Sequence, residues 1–367
     1  MVHVTIRGVP TVSVQIPNAS YDVTVERGLL ARVGLAVQKL TGASRCCVIT
    51  DEHVGPRHFK ALRESFPGEV DVVRVNIDSG EENKSLKTVG GVYDQVLAAK
   101  IDRRTPILAL GGGVVGDLTG FVAATVLRGV PFIQVPTTLL AMVDASVGGK
   151  TGIDHPVGKN LIGAFHQPKA VFIDPEVLKT LPARELRGGL AECIKHEIIR
   201  DAEGFTRLEQ SIGQALALDM DYLAGLIAHN VAIKARVVEA DPLERGERAH
   251  LNFGHTFGHA IETVSDYEYS HGECVALGMT AASFAAVKLG MLSDRDRQRM
   301  IDVIRRAGLP TGGMILATDP VVNAMAYDKK VASGKLRFVL PDRIGHVVIR
   351  DDVPIELVRE SVESLRG

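Results

Sequence analysis

Short apolar runs alternate with segments of helical periodicity up to residue 182, and this alternation restricts the possible folds severely. The predicted strands are Tyr21–Val25, Arg45–Thr50, Val70–Asn76, Pro106–Leu110, Pro131–Val135 and Ala170–Ile173. The predicted helices are Leu29–Leu40, His58–Phe66, Leu86–Ala99, Val115–Val126 and Thr138–Ala145. Such alternation is typical of a mostly parallel sheet with helices on both faces. Ligands of these sheets bind at the carboxyl ends of the strands.

The pattern changes near Leu181-Pro182, and helical periodicity dominates from there on. The predicted helices are Arg184–Ile199, Tyr222–Glu239, Gly254–Thr263, Gly272–Leu289 and Asp294–Ala307, and two short strands are predicted at Leu336–Leu340 and His346–Ile349. We therefore predict an α/β domain over residues 1–182 and a mainly α-helical domain over residues 183–367. Active sites commonly lie in clefts between such domains, so we expect a cleft here.

Composition excludes several classes of protein. The 367 residues carry a net charge of −2, whereas nucleic-acid binders normally show a basic excess. The longest uncharged run, residues 129–143, is shorter than the roughly 20 residues that span a bilayer. The first ten residues lack the pattern of an export signal, and the four cysteines include no CxxC pair. We therefore expect a cytoplasmic protein that binds neither nucleic acid nor membrane.

A glycine-rich segment follows the predicted strand Pro106–Leu110. Gly111, Gly113 and Gly116 satisfy the pattern G-x-G-x-x-G, in which free N–H groups at a helix start attract a pyrophosphate. The acidic residue that would bind a ribose is missing near residue 136. The motif alone therefore fits either a dinucleotide site or a tight strand–helix turn.

Two Gly-Lys turns follow within ten residues. Lys150 lies in Val147–Gly152, which fails as a P-loop because Asp144 occupies the position where a glycine is required. Lys159 lies in the second turn, Gly158–Asn160. Solvated surface turns are the alternative, but two such turns in a segment with few other charges favour binding of a phosphate or a nucleotide.

Four of the twelve histidines fall between residues 250 and 271. His255 and His259 are four residues apart, which places them on one helix face at a metal-chelating spacing. Thr256 replaces the glutamate of the zinc-protease motif, which disfavours that class. His271 begins another predicted helix.

Charged residues also occur in apolar helical segments. Glu192 lies on an apolar helix face, where a carboxylate is costly unless it is paired or bound to a metal, and Lys195 follows three residues later. Lys234 lies in an apolar run, and Arg248 precedes the histidines. Two histidines and one carboxylate suit a catalytic zinc site. The alternative, a scatter of capping and surface groups, requires several coincidences.

Together these motifs resemble those of the 3-dehydroquinate synthases over essentially the whole chain. The matching stretches are residues 78–85, 111–117, 136–141, 143–152, 155–165, 190–195, 251–262 and 328–330. The resemblance implies a homodimer with a Rossmann-like, NAD-binding α/β domain and an α-helical metal-binding domain. Zinc or cobalt would be held by Glu192, His255 and His271, and His259 would face the substrate instead.

The resemblance also implies which residues contact NAD and the substrate. The implied NAD contacts are Asp51, Glu81, Lys84, Gly113, Val114, Val115, Gly116, Asp117, Thr137, Thr138, Lys159, Val177, Leu178, Lys179 and Thr180. The implied catalytic residues are Asp144, Lys150, Asn160, Lys195, Lys234 and His259, and the implied substrate-binding residues are Arg128, Arg248, Asn252 and Lys330, with Lys329 as the alternative to Lys330. Arg128 would reach the substrate phosphate of the neighbouring subunit.

The implied reaction converts 3-deoxy-D-arabino-heptulosonate 7-phosphate, a phosphorylated sugar acid, to 3-dehydroquinate and phosphate in the shikimate pathway. NAD would oxidise the C5 hydroxyl, which acidifies the C6 proton, and would return its hydride after phosphate has left. Ring opening and an intramolecular aldol step would then close the carbocycle. We expect the substrate's own phosphate to accept the C6 proton, with His259 and Asn160 positioning it.

Three alternatives remain at this stage. Another sugar-phosphate cyclase, acting on sedoheptulose 7-phosphate or glucose 6-phosphate, would share the NAD and metal motifs. A metal-dependent polyol dehydrogenase would share the fold, but the many cationic residues favour an anionic substrate. A non-catalytic nucleotide-binding module would not need the metal ligands.

Overall fold

A computed structural model describes residues 11–17, 19–244, 246–266, 268–331 and 336–367, without the side chains of residues 326–331. Up to Pro182 the elements are β1 (Thr11–Val14), β2 (Tyr21–Val25), α1 (Val33–Thr41), β3 (Arg45–Asp51), α2 (Gly55–Glu64), β4 (Asp71–Ile77), α3 (Leu86–Ala98), β5 (Ile107–Gly111), α4 (Gly113–Thr125), β6 (Phe132–Pro136), β7 (Lys150–His155), β8 (Gly158–Phe165) and β9 (Ala170–Ile173). Beyond it lie α5 (Ala183–Arg200), α6 (Ala202–Leu216), α7 (Met220–Ala240), α8 (His255–Val264), α9 (His271–Lys288), α10 (Asp294–Arg306), α11 (Thr318–Val331), β10 (Phe338–Arg343), β11 (His346–Arg350) and α12 (Ile355–Glu363).

The chain packs as two compact units. The first contains the residues up to Pro182 together with Met220–Glu239, and the second contains Ala183–Asp219 and the residues from Ala240 onward. The predicted domain limits at residue 182 stay a prediction. The packing differs from them at α7, because the position of a helix in the chain does not determine which core it joins.

The first unit is built on a seven-stranded sheet with the order β1-β2-β9-β6-β5-β3-β4. Only the β1–β2 pair is antiparallel, and the five other pairings are parallel. Strands β3, β4 and β5 share a buried core with α3 and α4, in which Cys47, Ile49, Val92 and Leu118 are fully or almost fully buried. The predicted α/β domain with a mostly parallel sheet is confirmed. Strand β1 was not predicted.

Strands β7 and β8 form a separate antiparallel hairpin, and the sequence analysis was wrong about this segment. Lys150 begins β7, and Lys159 and Asn160 lie in β8, so neither Gly-Lys segment is an isolated turn. Gly152 faces Gly163 across the hairpin, and a side chain at either position would overlap the opposite backbone. Strand propensity is low in so glycine-rich a segment, which is why pairing between the strands decides its structure.

The second unit is mainly helical, with β10 and β11 paired as a two-stranded sheet, and the predicted α-helical character is confirmed. Helices α6, α11 and α12 were missed. The first of them buries Phe205, Leu208 and Ile212 at helical spacing, so its periodicity was present in the sequence. Among the described residues, no helix combines the length and the apolarity needed to cross a membrane.

Candidate active site

The predicted NAD contacts of the first unit follow the carboxyl ends of its parallel strands. Asp51 ends β3, Glu81 and Lys84 follow β4, and the glycine-rich segment follows β5. Thr137 and Thr138 follow β6, and Val177–Thr180 follow β9. The chain leaves β3 for β4 on one side and returns to β5 on the other, and such a switch in strand order is where ligands of open α/β sheets bind. The fold therefore brings these predicted residues to one edge of the sheet.

Close packing explains the glycine pattern at the start of α4. A methyl group on Gly111 would lie 2.5 Å from Val115 Cβ, and one on Gly116 would lie 3.0 Å from Oε1 of Gln134 in β6. The free N–H groups at the start of α4 remain available to an anion. The structure shows the tight strand–helix turn, and it is compatible with a dinucleotide site, because the same turn exposes the helix start.

Lys84 connects two of the predicted binding segments. Its Nζ lies 2.7 Å from Asp117 Oδ2 and 2.5 Å from Asn160 Oδ1, and only 5% of its side chain is exposed. Burial lowers the pKa of Lys84, but the Asp117 and Glu81 carboxylates outweigh it, so the pKa is raised overall. The ammonium group thus stays charged and holds the start of α4 next to β8.

Other predicted NAD contacts also support the local backbone. Asp51 Oδ1 accepts hydrogen bonds from the N–H groups of His53 and Val54. Thr180 Oγ1 donates to the Val177 carbonyl and lies 2.8 Å from Nε2 of the buried His58. These contacts hold the ends of β3 and the segment after β9 in place.

Asp144 and Lys234 are paired within the first unit. Lys234 Nζ lies 2.6 Å from Asp144 Oδ1 and also contacts the Asp144 carbonyl, and 7% of the lysine side chain is exposed. Asp144 lies in a turn of π-helix, Ala141–Ala145, in place of part of the predicted helix Thr138–Ala145. Such turns are frequent at functional sites.

Two further predicted residues of the first unit, Lys150 and Arg128, are exposed. Arg128 has a φ of 66° and follows Leu127 at 50°, so two consecutive residues with side chains adopt the left-handed region. Strain of this kind persists where the surrounding structure imposes it, and it is common at ligand-binding sites.

Glycine contacts bring three helices of the second unit together around the predicted metal ligands. A methyl group on Gly272 of α9 would overlap Gly188 of α5, and one on Gly278 would overlap the carbonyl of Gly254, which precedes α8. A methyl group on Gly258 of α8 would lie 2.9 Å from the Cys274 carbonyl oxygen. Helix axes are normally 8–10 Å apart, and missing side chains permit the short end of that range.

Glu192, His255 and His271 lie beside these contacts and converge. Nε2 of His271 lies 3.6 Å from Glu192 Oε1, and Nε2 of His255 lies 3.8 Å from the same oxygen. Ligands about 2.1 Å from a tetrahedral zinc lie about 3.4 Å apart, so the donor set fits a metal ion after small adjustments. His255 also directs Nδ1 at the Phe253 carbonyl, 3.1 Å away, which leaves its Nε2 for the metal.

Burial and charge shift the pKa values of the two histidines in opposite directions. Burial, reinforced by Lys195, holds the pKa of His255 well below its usual value. Burial also lowers the pKa of His271, but the Glu192 and Glu262 carboxylates outweigh it and raise this pKa to about 9. Lys195 contacts Glu192 Oε2, and both side chains are buried. Glu192 and Lys195 therefore form an ion pair within the same cluster.

The remaining predicted residues of the second unit differ in exposure. Arg248 is buried and donates to the Pro242 carbonyl at 2.9 Å. Asn252 and His259 are exposed, and the rings of His259 and His255 meet edge to face with centroids 5.2 Å apart. The side chains of Lys329 and Lys330 lie outside the described residues.

Sequence analysis missed Glu262 as a member of this cluster. It lies on α8 three residues after His259, with 7% of its side chain exposed, and its Oε2 is 3.8 Å from His271 Nδ1. Residues 255, 259 and 262 share one helix face, so the i, i+4, i+7 spacing was the signal that could have found it.

Comparison with solved structures identifies the fold class. The chain is similar to 2-epi-5-epi-valiolone synthase from Streptomyces hygroscopicus with NAD+ and Zn2+ bound, at 32% identity and a TM-score of 0.88, covering 96% of this chain and 98% of that one. It is also similar to 2-deoxy-scyllo-inosose synthase complexed with carbaglucose-6-phosphate, NAD+ and Co2+, at 25% identity and a TM-score of 0.87, covering 97% and 100%. The fold is therefore that of the sugar-phosphate cyclases.

Sequence comparison then identifies the family within this class. Models described as the N-terminal and C-terminal parts of 3-dehydroquinate synthase match residues 74–188 and 189–331. The 3-dehydroquinate synthase of Microcystis aeruginosa is 47% identical over 353 residues, which cover 95% of this chain and 96% of that protein. That of Symbiobacterium thermophilum is 45% identical over 351 residues, covering 94% and 98%. The chain belongs to the 3-dehydroquinate synthase family, as its motifs predicted.

Proposed function

We propose that this chain converts 3-deoxy-D-arabino-heptulosonate 7-phosphate to 3-dehydroquinate and phosphate, with NAD and a divalent metal ion as cofactors. The observation that carries the proposal is the convergence of Glu192, His255 and His271, with Lys195 against the same carboxylate. A non-catalytic nucleotide-binding module has no use for three converging donors at metal-ligand spacing.

The metal would be Zn2+ or Co2+, held by Glu192, His255 and His271. One carboxylate and two imidazoles suit either ion and leave a position open for substrate oxygen. The structural relatives named above carry these same two ions. When bound, the metal supplies a Lewis acid for the hydroxyl that is oxidised, and NAD supplies a reversible hydride acceptor.

The residues at the carboxyl ends of the parallel strands would bind NAD. The start of α4 offers N–H groups to the pyrophosphate, and Asp117 and Lys84 keep that helix end in place. Because the hydride is returned in each turnover, NADH must not escape before the reaction ends. A site built from several strand ends suits such retention.

Cationic groups would bind the two anionic ends of the substrate. Arg248 suits the carboxylate, because its planar guanidinium can bind both oxygens at once, while Lys150 and Lys330 act as single charges. Lys195 and Lys234 would each carry one carboxylate partner on the protein and a further N–H for substrate. The ammonium groups would bind and orient the substrate, and the paired carboxylates would fix the positions of the ammonium groups.

His259 and Asn160 would position the substrate phosphate so that it accepts the C6 proton before it leaves. His259 is exposed and belongs to the histidine cluster, and Asn160 is held by Lys84. No protein carboxylate is required as the base in this scheme.

The experiment follows phosphate release and absorbance at the NADH wavelength together, with Zn2+ and NAD well below the substrate concentration. We expect phosphate far in excess of NAD, without lasting NADH. Phosphate release only from sedoheptulose 7-phosphate or glucose 6-phosphate would identify a different cyclase, and steady NADH formation from a polyol would identify a dehydrogenase.

His271→Asn should abolish phosphate release. His346→Asn is the matched control, because the ring of His346 pairs with Asp342 and lies outside the histidine cluster.

A homodimer and a cytoplasmic location complete the proposal. Arg128 would act across the dimer on the substrate phosphate of the other subunit, and its exposed, strained position suits a residue that reaches outward. The four cysteines are buried thiols that form no disulfide, which is consistent with a reducing compartment.

A further inference from the structure

The two imidazoles that converge on Glu192 each present Nε2 to it and direct Nδ1 elsewhere. Nδ1 of His255 lies 3.1 Å from the Phe253 carbonyl oxygen, a backbone acceptor. Nδ1 of His271 lies 3.8 Å from Oε2 of Glu262, which belongs to α8. The two histidines therefore have different partners on the side away from Glu192, one from the backbone and one from a side chain.

A histidine that binds a metal through Nε2 must carry its proton on Nδ1. The acceptor that takes this Nδ1–H fixes the tautomer and the ring orientation, and a carboxylate acceptor also makes the ring a stronger donor. We infer that Glu262 is the positioning residue of His271, which takes its Nδ1–H and presents Nε2 to the metal. This inference rests on the proposed function, since it assigns a role toward the proposed metal site.

The surroundings of Glu262 support a specific partner for its carboxylate. The residue is 5% exposed, and its neighbours Ala260 and Ile261 on α8 are also buried. A carboxylate removed from water is costly unless charged or polar groups lie close to it, and the His271 imidazole, 3.8 Å away, is one such group. A solvent-facing position on α8 would have avoided this cost altogether.

Geometry also separates this role from direct ligation. Glu262 faces Nδ1 of His271, on the opposite side of the ring from the Nε2 that faces Glu192. Glu262, His259 and His271 do form a second group of donors close enough to hold an ion. If His271 bound that ion through Nδ1, the nitrogen that faces Glu262, it would not bind the same ion as Glu192 and His255, which face its Nε2 side.

The experiment compares Glu262→Ala, Glu262→Gln and Glu262→Asp with Glu268→Gln, an exposed glutamate that serves as the matched control. Zn2+ affinity is measured by competition with a chromophoric chelator. We expect about 10–100-fold weaker binding for Glu262→Ala, the usual effect of losing an outer partner of a metal-bound histidine. Glu262→Asp, which keeps a carboxylate, should bind Zn2+ more tightly than Glu262→Ala. Glu262→Gln, which keeps only a neutral acceptor, should show a smaller recovery of affinity.

Two spectroscopic readouts distinguish positioning from a structural role. The nitrogen chemical shifts of His271 in the Zn2+-loaded protein should show Nδ1–H in the wild-type protein and a weaker or absent hydrogen bond in Glu262→Ala. The absorption bands of bound Co2+ should shift in the same variant. Circular dichroism of the metal-free variants should match that of Glu268→Gln, which establishes that they fold.

Three results would contradict the inference or the proposed function on which it rests. Wild-type affinity and an unchanged His271 hydrogen bond in Glu262→Ala would remove the positioning role while leaving the metal site intact. A loss as large as that of His271→Ala, with no rescue by Asp, would make Glu262 a direct ligand instead. If the wild-type chain bound neither Zn2+ nor Co2+, the proposed function itself would fail.

Discussion

Nζ of Lys84 lies 2.7 Å from Oδ2 of Asp117, and the pair joins the segment after β4 to the first turns of α4. The lysine side chain is 5% exposed and the aspartate side chain 22%. The same ammonium group also contacts Asn160. An ion pair this little exposed is costly to break, because the charge that remains has no water to replace its partner.

Lys84→Met should therefore lower the free energy of unfolding substantially. We expect a loss of about 3 kcal/mol, the lower end of the range for breaking a buried pair, because Asp117 retains some exposure. The loss is measured by urea unfolding, with circular dichroism as the signal. We also expect weaker NAD binding, since the start of α4 loses its support.

Lys159→Met is the control for the unfolding measurement alone, because Lys159 is itself an implied NAD contact. Lys159 Nζ lies 3.2 Å from Glu81 Oε1, but both side chains are more exposed, at 27% and 37%. Exposed pairs contribute about 0–1 kcal/mol, so this variant should unfold almost as the wild type does. Equal losses of unfolding free energy in the two variants would show that the Lys84–Asp117 pair stabilises the fold no more than an exposed pair does.

Removal of the metal should destabilise the second unit. Chelator treatment should lower the thermal midpoint, and added Zn2+ should restore it, since a ligand at 100 times its dissociation constant stabilises by about 2.7 kcal/mol. The effect should grow as the pH rises from 6 toward 9, because the pKa of His271 is about 9 and its proton must leave before the metal binds.

Glu192→Gln distinguishes the effect of metal binding on the thermal midpoint from other effects of pH. This variant retains the shape of the side chain but not its charge, so its midpoint should respond little to Zn2+ at any pH. A metal-dependent shift equal to that of the wild type would show that the ion binds elsewhere.

Arg128→Ala should be inactive alone and should regain activity in mixed dimers with Lys195→Ala. In such a dimer one site has both wild-type Lys195 and the other subunit's Arg128, so random mixing should restore about a quarter of wild-type activity. Phosphate release from the mixed, refolded sample measures it. No recovery would show that Arg128 serves its own subunit, whereas full activity of Arg128→Ala alone would show that it is dispensable.

Protonation of His58 should weaken the fold below neutral pH. Burial lowers the pKa of His58 below its usual 6.5, with a further contribution from Arg57. The unfolded chain therefore binds the proton more readily, so stability present above pH 6.5 should decline as the pH falls below it.

Unfolding measured between pH 5 and 7.5 would test this, with His58→Gln as the variant. Gln cannot titrate, so the decline should be shallower than in the wild type. His53→Gln is the control, because His53 is exposed on the turn before α2. The same slope in all three proteins would contradict the prediction.

The predicted elements of the first unit agree with the structure wherever apolar periodicity is strong. Tyr21–Val25 and Ala170–Ile173 are found with the predicted limits, and β3 extends only one residue beyond its prediction. The hairpin of β7 and β8 was not predicted, because its glycines carry no strand signal and its two strands stabilise each other. Side-chain patterns report burial, whereas pairing between neighbouring strands has no local signature.

In the candidate site, too, some residues had a local signal in the sequence and others did not. Glu192 was recognisable from the sequence because a carboxylate on an apolar helix face requires a partner, and the spacing of His255 and His259 marked a metal-binding helix. Spacing alone indicated His259 as readily as His271 for the metal, and only the resemblance to the family excluded it. The carboxylate of Glu262 was overlooked, since its role depends on a ring that is nine residues away.

By itself, therefore, the sequence determined the class of fold, the family and most of the charged groups of the candidate site, because periodicity and motif identity are local properties of the chain. Tertiary structure alone decided which unit α7 joins, how β7 pairs with β8, and which atom of each imidazole faces Glu192. Glycine contacts between α5, α8 and α9 set those last distances. Close approach between helices depends on several distant positions at once, and no single stretch of sequence expresses it.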